Sequence, residues 1–224
     1  NGELRKVIMH APKNGFFYVI DRVNGEFISA NNFVPINWAS HVDPETGRPV
    51  EIEQTNHESQ PALTTPGPLG GHNWQPMSYS PNTGLVYIPA QEMLFIYSTD
   101  SKFKYAPAGW NTAQQLEMTY LPKDPDELAM VDSATVGYLL AWDPKQQKEA
   151  WRAQYKRPWS GGVLSTGGNL VLQGTSDGRF VAYAADSGDL LWSADTGQGI
   201  VAPPITYKID GEQYIAVQVG YGGA

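Results

Sequence analysis

From residue 136 onward, the apolar positions of the chain fall in short runs that are separated by turn-forming residues. The turns are Gly167–Gly168, Ser176–Gly178, Asp186–Gly188 and Asp210–Gly211. Short apolar runs bounded by glycine, aspartate and serine are typical of β-strands joined by tight hairpins. The pattern predicts strands near residues 137–142, 149–154, 163–166, 169–173, 179–184, 189–194, 203–209 and 213–219.

The earlier part of the chain carries the same strand signals in two shorter groups. Strands are predicted near residues 7–10, 16–20, 26–29, 79–80, 85–89 and 94–98, with hairpin turns at Arg22–Gly25 and Pro81–Gly84. Residues 31–76 and 99–134 hold no regular period, apart from a helical turn or two at Asp124–Met130. We interpret them as long irregular insertions in a single domain segment spanning 1–224. Loops of that length in a compact domain usually carry function.

One pattern occurs twice and specifies the architecture. In each copy the offset from glycine to alanine is 4 residues and the offset from glycine to tryptophan is 14 residues, and the copies lie 41 residues apart. The shared positions are Gly137, Ala141 and Trp151 in the first copy, and Gly178, Ala182 and Trp192 in the second. A period of about 40–50 residues is that of propeller blades. We therefore expect Trp151 and Trp192 to pack between blades.

A weaker third copy starts at Gly15 and carries Ser29 where the other copies have tryptophan. Together the strands predict an all-β fold, a β-propeller segment of about four four-stranded blades. Closed propellers usually have about 4–8 blades, and an open one leaves strand edges unpaired. The first ten residues run directly into a strand, which is typical of a chain that begins within a domain. We expect folding beside a complementary propeller half or a second copy of the chain.

Composition and charge narrow the choice of partner. The 224 residues include 15 basic and 23 acidic side chains, which give a net charge of −8, and no basic cluster exceeds the Arg5–Lys6 pair. This balance argues against nucleic acid and against an anionic membrane surface. No apolar run approaches the ~20 residues of a membrane span. Without cysteine, the sequence has no disulfide, thiolate ligand or Cys-x-x-Cys-His haem motif.

Three residues outside the repeat are candidates for chemistry. Trp74 and Trp159 each lie in a stretch rich in glycine and proline. Such rings either cap the ends of the sheets or present a face to a planar ligand at the propeller axis. Lys13 lies between Pro12 and Asn14–Gly15. A lysine at a hairpin apex is usually solvated, but one facing the axis would supply a fixed positive charge to a developing oxyanion.

Other kinds of site find little support. His10, His41, His57 and His72 have no metal-binding spacing, so solvated or core roles are favoured. Three acids in the long loop, Glu51, Glu53 and Glu58, could bind a cation, although a solvated face is the better interpretation.

Several loops taken together resemble the quinoprotein alcohol dehydrogenases, which bind pyrroloquinoline quinone (PQQ) at the centre of an eight-bladed propeller with tryptophan docking motifs. The motifs that carry the resemblance are Ala11–Gly15, Asn73–Met77, Pro158–Gly162, Gly174–Gly178 and Gly220–Ala224. The resemblance runs over the whole chain and corresponds to the C-terminal half of the propeller domain. It is strongest to the quinohaemoprotein branch, in which lysine replaces the arginine of methanol dehydrogenases.

The resemblance implies a cofactor site made by loops that are distant in sequence. Lys13 would contact the quinone oxygens, and Asn73 with Trp74 would bond PQQ. Trp159 would line the pocket. The backbone at Gly223 and Ala224 would close it, while Trp151 and Trp192 would serve as structural docking residues.

The resemblance also implies partners that this chain does not supply. The family's Ca²⁺ ligands, catalytic aspartate, cysteine pair and tryptophan floor have no counterpart here, so we expect the segment alone to be inactive. A complementary half, a small alcohol substrate, a cytochrome electron acceptor and a periplasmic location are expected for the complete enzyme. Two alternatives stay open: a non-catalytic propeller scaffold for binding and assembly, and a dehydrogenase of sugars or polymeric alcohols on the same fold.

Overall fold

Residues 2–109, 111–115, 117 and 120–221 are described by a computed structural model. The first ten strands are β1 (Val7–His10), β2 (Phe16–Asp21), β3 (Phe27–Asn32), β4 (Ala39–Val42), β5 (Pro49–Glu51), β6 (Ala62–Thr64), β7 (Ser78–Ser80), β8 (Leu85–Glu92), β9 (Phe95–Tyr97) and β10 (Val136–Asp143). The others are β11 (Lys148–Tyr155), β12 (Val163–Ser165), β13 (Leu170–Gly174), β14 (Arg179–Ala184), β15 (Leu190–Asp195), β16 (Ile205–Ile209) and β17 (Glu212–Ala216). The helical elements are a 3₁₀ turn (Glu53–Thr55) and α1 (Pro125–Ser133).

Most strands belong to four successive antiparallel sheets, which we call blades 1 to 4. Blade 1 has the order β1-β2-β3, blade 2 β11-β10-β8-β7, blade 3 β12-β13-β14-β15 and blade 4 β16-β17. Two small sheets, β4-β5 and β6-β9, lie in the connections. The predicted all-β fold is confirmed, and among the described residues blades 2 and 3 carry four strands each.

Helix α1 forms where the sequence predicted a short helical segment. The Asp124 side chain accepts hydrogen bonds from the backbone N–H groups of Asp126 and Glu127, and Pro125 occupies the first turn. Both features favour a helix start. Over the described part of the chain, no helix is both long enough and apolar enough to cross a membrane.

Both faces of the middle blades are buried, which explains why their strands are apolar at consecutive positions. On β10, Tyr138 and Leu140 join a cluster with Phe17 of blade 1, whereas Leu139 joins a cluster with Val181 of blade 3. Alternate side chains of a strand point to opposite faces, so one strand contributes to two cores. Leu139 and Leu140 are both fully buried. Blade 2 therefore buries both of its faces only because it has a neighbour on either side.

Antiparallel pairing also fixes which loops share an end. The repeat glycines Gly15, Gly137 and Gly178 stand at the start of β2, β10 and β14. Strands β10 and β14 are the third strands of their blades, and β2 takes the equivalent position in the three-stranded blade 1. Connections into a third strand and connections into a first strand then emerge at the same end. We call this the loop end. It carries residues 11–15, 65–77, 156–162 and 175–178, whereas the opposite turn end carries the hairpins between third and fourth strands.

At the turn end, Trp151 joins blade 2 to blade 3. Its indole Nε1 donates to the carbonyl of Ala185 at 3.1 Å. A Cβ placed on Gly188 would lie 2.6 Å from a ring carbon of Trp151, so only glycine leaves room for the indole. The ring also approaches Tyr87 and Tyr183, with centroids 5.7 and 6.3 Å away. The predicted packing of Trp151 between blades is thus observed.

The serine of the third repeat copy makes a polar version of the same junction. Gln147, in the turn between β10 and β11, donates from Nε2 to the Ser29 hydroxyl at 3.0 Å. Asn31 donates to the Gln147 carbonyl at 3.1 Å. Blades 1 and 2 are therefore joined at the turn end by hydrogen bonds, where blades 2 and 3 are joined by an indole on a glycine.

Trp192 differs from its repeat partner. It is 50% exposed and makes an edge contact with Phe180 of its own blade, with centroids 5.9 Å apart. Blade 4 has two strands among the described residues, and a turn equivalent to 186–188 is not found there. The predicted inter-blade packing of Trp192 is therefore not seen in the described structure, because its surface lacks the glycine turn that Trp151 uses.

We predict that Gly188→Ala destabilises the fold far more than Gly84→Ala. Both glycines have positive φ (78° and 72°), but a Cβ at Gly84 meets no atom within 4 Å. Backbone strain of about 1–2 kcal/mol is common to both, and overpacking against Trp151 adds about 1–3 kcal/mol. Urea denaturation measures the difference. Equal losses in the two variants would contradict the docking role of Gly188.

Candidate functional site

The loop end is joined across blades by a series of backbone contacts. Gly71 donates its N–H to the carbonyl of Lys13 at 3.0 Å, and its own carbonyl accepts the N–H of Gln91 at 2.9 Å. Further along, the Ser160 hydroxyl accepts the N–H of Ser176 at 3.3 Å. Loops of blades 1, 2 and 3 are therefore tied to one another at the end where the candidate residues lie.

Lys13 is exposed at the loop end but is anchored to its neighbouring loop. Its ammonium donates to the carbonyl of Pro68 at 3.1 Å. A Cβ on Gly70 would lie 2.6 Å from both Cα and Cβ of Lys13, so the two loops touch closely. Lys13 also lines a cavity of about 880 Å³. The backbone of Lys13 is thus held in place, and its side chain lies beside open space.

The cavity beside Lys13 is built by the long connection between blades 1 and 2. Trp38, Glu51, Glu53 and Glu58 of that connection line it, together with Tyr97 of β9. All three acids are exposed, as expected for a solvated face. Within the described residues, no group of three or more histidines, aspartates and glutamates is arranged to hold a metal ion.

Asn73 and Trp74 lie on the same loop as the Lys13 contacts. The Asn73 amide donates to the carbonyl of Leu69 at 2.8 Å and its oxygen accepts the N–H of Trp74 at 2.8 Å. These bonds give residues 69–74 a fixed shape. Trp74 is 57% exposed, so its indole is displayed at the surface.

Trp159 has a backbone conformation that bulky residues rarely adopt. Its φ is +68°, in the left-handed region where a side chain costs about 1–3 kcal/mol. Its N–H donates to the side-chain oxygen of Gln91 at 3.1 Å. Strain of this kind clusters at binding sites because the surrounding structure holds the residue in place.

Gln91 is the residue that the sequence analysis missed. It is 4% exposed, and its amide nitrogen donates to the carbonyls of Leu69 at 3.3 Å and Gly70 at 3.1 Å. With the bond from Trp159, this side chain connects two loops. A polar residue at the end of an apolar strand run was the available signal, because buried polar groups require partners.

His72 fastens the Lys13 loop to the Trp74 loop. It is 5% exposed, with Nδ1 2.6 Å from the carbonyl oxygen of Ala11 and Nε2 2.6 Å from that of Gln75. Burial lowers the pKa of His72 below its ordinary value, although both carbonyls favour the charged ring; the charge on His10 lowers it further. Of the two roles open to it from the sequence, His72 has the core one.

Known proteins are similar to this chain over most of its length. A family model described as "Glucose/ethanol/alcohol dehydrogenase, beta-propeller domain", for proteins that use PQQ, matches residues 46–215. The chain belongs to this family. Its relatives include the quinohemoprotein alcohol dehydrogenase of Comamonas testosteroni, which is 50% identical over 231 residues covering 99% of the chain and 31% of the relative. The dehydrogenase subunit of the quinone-linked alcohol dehydrogenase of Komagataeibacter europaeus is 47% identical, with coverage of 100% and 31%.

Solved structures of the family agree with the fold. Quinohemoprotein alcohol dehydrogenase ADHIIG of Pseudomonas putida HK5 superposes with a TM-score of 0.92 at 45% identity, covering 100% of the chain and 33% of that protein. A europium-containing methanol dehydrogenase gives 0.83 at 32% identity, with coverage of 96% and 37%. The chain therefore spans about a third of the length of these relatives. The predicted family and the predicted propeller segment are confirmed.

Three predicted site residues of this family member are bonded to residues 68–70, directly or through Gln91, although among them only Lys13 lines the cavity of about 880 Å³. Lys13 bonds Pro68 and Asn73 bonds Leu69, while Trp159 bonds Gln91, which in turn holds Leu69 and Gly70. Their roles towards a cofactor stay predictions. The two further predicted residues, Gly223 and Ala224, lie outside the described residues.

We predict that His72→Ala lowers the free energy of unfolding by about 1–3 kcal/mol, because the buried carbonyl, of Ala11 or Gln75, that accepts the one N–H of the neutral ring is left without a donor. The matched control is His41→Ala, at an exposed position, with an expected change within about 0.5 kcal/mol. Urea denaturation of both variants at pH 7.5 is the measurement. Equal effects would show that the His72 contacts contribute nothing to stability.

A second prediction for His72 concerns pH. Because the folded state lowers its pKa, the unfolded chain binds the proton first as the pH falls below about 6.5. The stability that the neutral ring contributes is complete above that pH. It is lost on acidification at up to about 1.4 kcal/mol per pH unit, until the folded ring also titrates. The difference in unfolding free energy between wild type and His72→Gln, measured from pH 8 to 5, should shrink as the pH falls; a constant difference would contradict it.

Proposed function

We propose that the chain supplies one side of the PQQ pocket of a quinoprotein alcohol dehydrogenase, which oxidises an alcohol by hydride transfer to the cofactor. The observation that carries the proposal is the convergence at the loop end. There the Lys13 ammonium, the Asn73 amide and the backbone N–H of Trp159 each donate a hydrogen bond to Pro68, Leu69 or Gln91. Family membership supports it, since the relatives are named for quinone-dependent alcohol oxidation.

The residues present fit a planar, anionic quinone. An ammonium has three donors, and among the described residues Lys13 gives one of them to Pro68. The other two donors are available for oxygen atoms of a ligand at the loop end. The indoles of Trp74 and Trp159 offer flat apolar surface for a ring system. Gly223 and Ala224 are proposed to close the pocket, as the family resemblance implies.

PQQ, when bound, supplies the quinone carbon that accepts hydride from the alcohol. Lys13 would hold the quinone oxygens and place positive charge where negative charge develops during the reaction. A charge that is already in position stabilises the transition state without reorganisation. Asn73 would orient the ring system by hydrogen bonding, and Trp159 would exclude water from one side of it.

Other parts of the enzyme would come from beyond this chain. We propose that the Ca²⁺ ligands and the general base for the alcohol proton belong to a complementary propeller half, or that a second copy of the chain completes the ring. The half-exposed Trp192 supports a further blade surface beside blade 3. A cytochrome acceptor is proposed in line with relatives such as the 1-butanol dehydrogenase (cytochrome c) of Thauera butanivorans. A periplasmic location is proposed from the family resemblance.

A non-catalytic scaffold is the alternative with the same architecture. It would need the Trp151 junction with Gly188 but would have no use for Lys13 at the loop end. The test uses a chimera in which this chain replaces the matching segment of the Comamonas testosteroni relative, loaded with PQQ and Ca²⁺. Dye-linked oxidation of a primary alcohol and binding of PQQ are measured in parallel.

We predict that Lys13→Ala in this chimera lowers kcat by about 10²–10³-fold, the usual effect of removing one preorganised oxyanion donor. Lys13→Arg should lose less because the charge is kept. The control is Lys145→Ala, an exposed lysine in a hairpin at the turn end, which should leave kcat unchanged. A kcat of Lys13→Ala equal to that of the unsubstituted chimera would refute the electrostatic role of Lys13.

A further inference from the structure

Gln91 occupies a fixed point between the three loops of the candidate site. It lies next to the last residue of β8, where it pairs with Gly137 of β10. Its backbone N–H is bonded to Gly71 at 2.9 Å. Because the strand and the loop both hold its backbone, the position of its side chain is set by the sheet.

The carboxamide of Gln91 uses its donor and acceptor atoms on different loops. The oxygen accepts from the N–H of Trp159 at 3.1 Å, while the nitrogen donates to the carbonyls of Leu69 and Gly70 at 3.3 and 3.1 Å. Glutamate would keep the acceptor but lose the donors. Leucine would fill the volume and lose both.

On one side, Gln91 holds the Trp159 loop in its unusual conformation. The bonded N–H belongs to the residue with φ of +68°. The preceding segment rests on Gly137, where a Cβ would lie 2.5 Å from the carbonyl oxygen of Arg157 and 2.8 Å from Cα of Pro158. The Trp159 loop is thus held by β8 through the Gln91 side chain and by β10 through the close approach at Gly137.

On the other side, Gln91 holds the loop against which Lys13 and Asn73 are fixed. The Leu69 carbonyl that accepts from Gln91 also accepts from the Asn73 amide at 2.8 Å. Gly70, the other acceptor, touches the backbone of Lys13 at a distance that excludes a side chain. A single carboxamide therefore links the backbone of Trp159 to the loop that contacts the backbone of Lys13.

We infer that Gln91 is a positioning residue of the quinone pocket: it acts through Trp159 and residues 69–70 to hold the Lys13 and Trp159 sides of the pocket at the spacing that PQQ requires. This inference rests on the proposed function and adds to it a residue whose contribution is to cofactor affinity. Residues that orient direct ligands typically contribute about 10–100-fold to affinity at metal sites, and a similar range is expected here.

The test measures the affinity of the apo chimera for PQQ by quenching of tryptophan fluorescence, with Gln91→Leu and Gln91→Glu. Both variants should bind PQQ at least about tenfold more weakly. In the apo chimera, the amide of Trp159 should exchange its hydrogen faster in Gln91→Leu, since its acceptor is removed. This second readout involves no cofactor and no activity.

The matched control is Gln147→Leu, which removes the carboxamide bridge to Ser29 at the turn end. It should lower the urea midpoint and leave PQQ affinity unchanged, which separates positioning from general stability. Unchanged PQQ affinity in folded Gln91→Leu and Gln91→Glu, or unchanged exchange at Trp159, would overturn the inference. If the unsubstituted chimera is folded but binds no PQQ, the proposed function fails and the inference with it. If the unsubstituted chimera binds PQQ and the Gln91 variants bind it equally well, the inference alone fails.

Discussion

The structure depends on sheets that bury both of their faces. Tyr138 and Leu140 on one side of β10 and Leu139 on the other belong to separate cores, so blade 2 cannot be shifted without disrupting both neighbours. A core that is closely packed on two sides tolerates little displacement. The ends of these strands therefore form a rigid frame, and loops that begin there inherit fixed starting points. The loops of the candidate site are therefore positioned by the strand ends from which they start.

The junctions between neighbouring blades are made in two chemically different ways. Trp151 fills the space over Gly188, whereas Ser29 and Gln147 bridge the corresponding gap by hydrogen bonds. The indole buries apolar area and gains strength from it, while the polar bridge gains little net stability but fixes direction. Blade 1 also carries the Lys13 loop. That loop lies at the opposite end of the blade from the polar bridge, and its contacts with Pro68 and Gly70 hold it there.

The sequence predicted the parts of the fold that repeat. Glycine and tryptophan spacing identified the blades, and the motif around Ala11–Gly15 singled out a loop that is anchored to residues 68–71. Gln91 and His72 escaped because their partners, Trp159 and Ala11, lie 68 and 61 residues away, and no local pattern encodes such contacts. Trp192 shows the opposite limit: its repeat position predicts docking, yet the partner surface depends on strands that the described chain does not contain.

Lys13 and Gln91 differ in how fully their hydrogen-bonding groups are used, and the difference has a physical reason. A side chain that must hold a ligand needs donors to spare, and one that must hold a loop needs all of its donors satisfied. Lys13 gives one of three donors to Pro68, whereas Gln91 is buried and bonded to both neighbouring loops. A buried carboxamide is costly to leave unpaired, so its two loops are held together even before a ligand arrives. Preorganisation of this kind lowers the entropy that binding must overcome, which is why a residue without ligand contact is able to determine affinity.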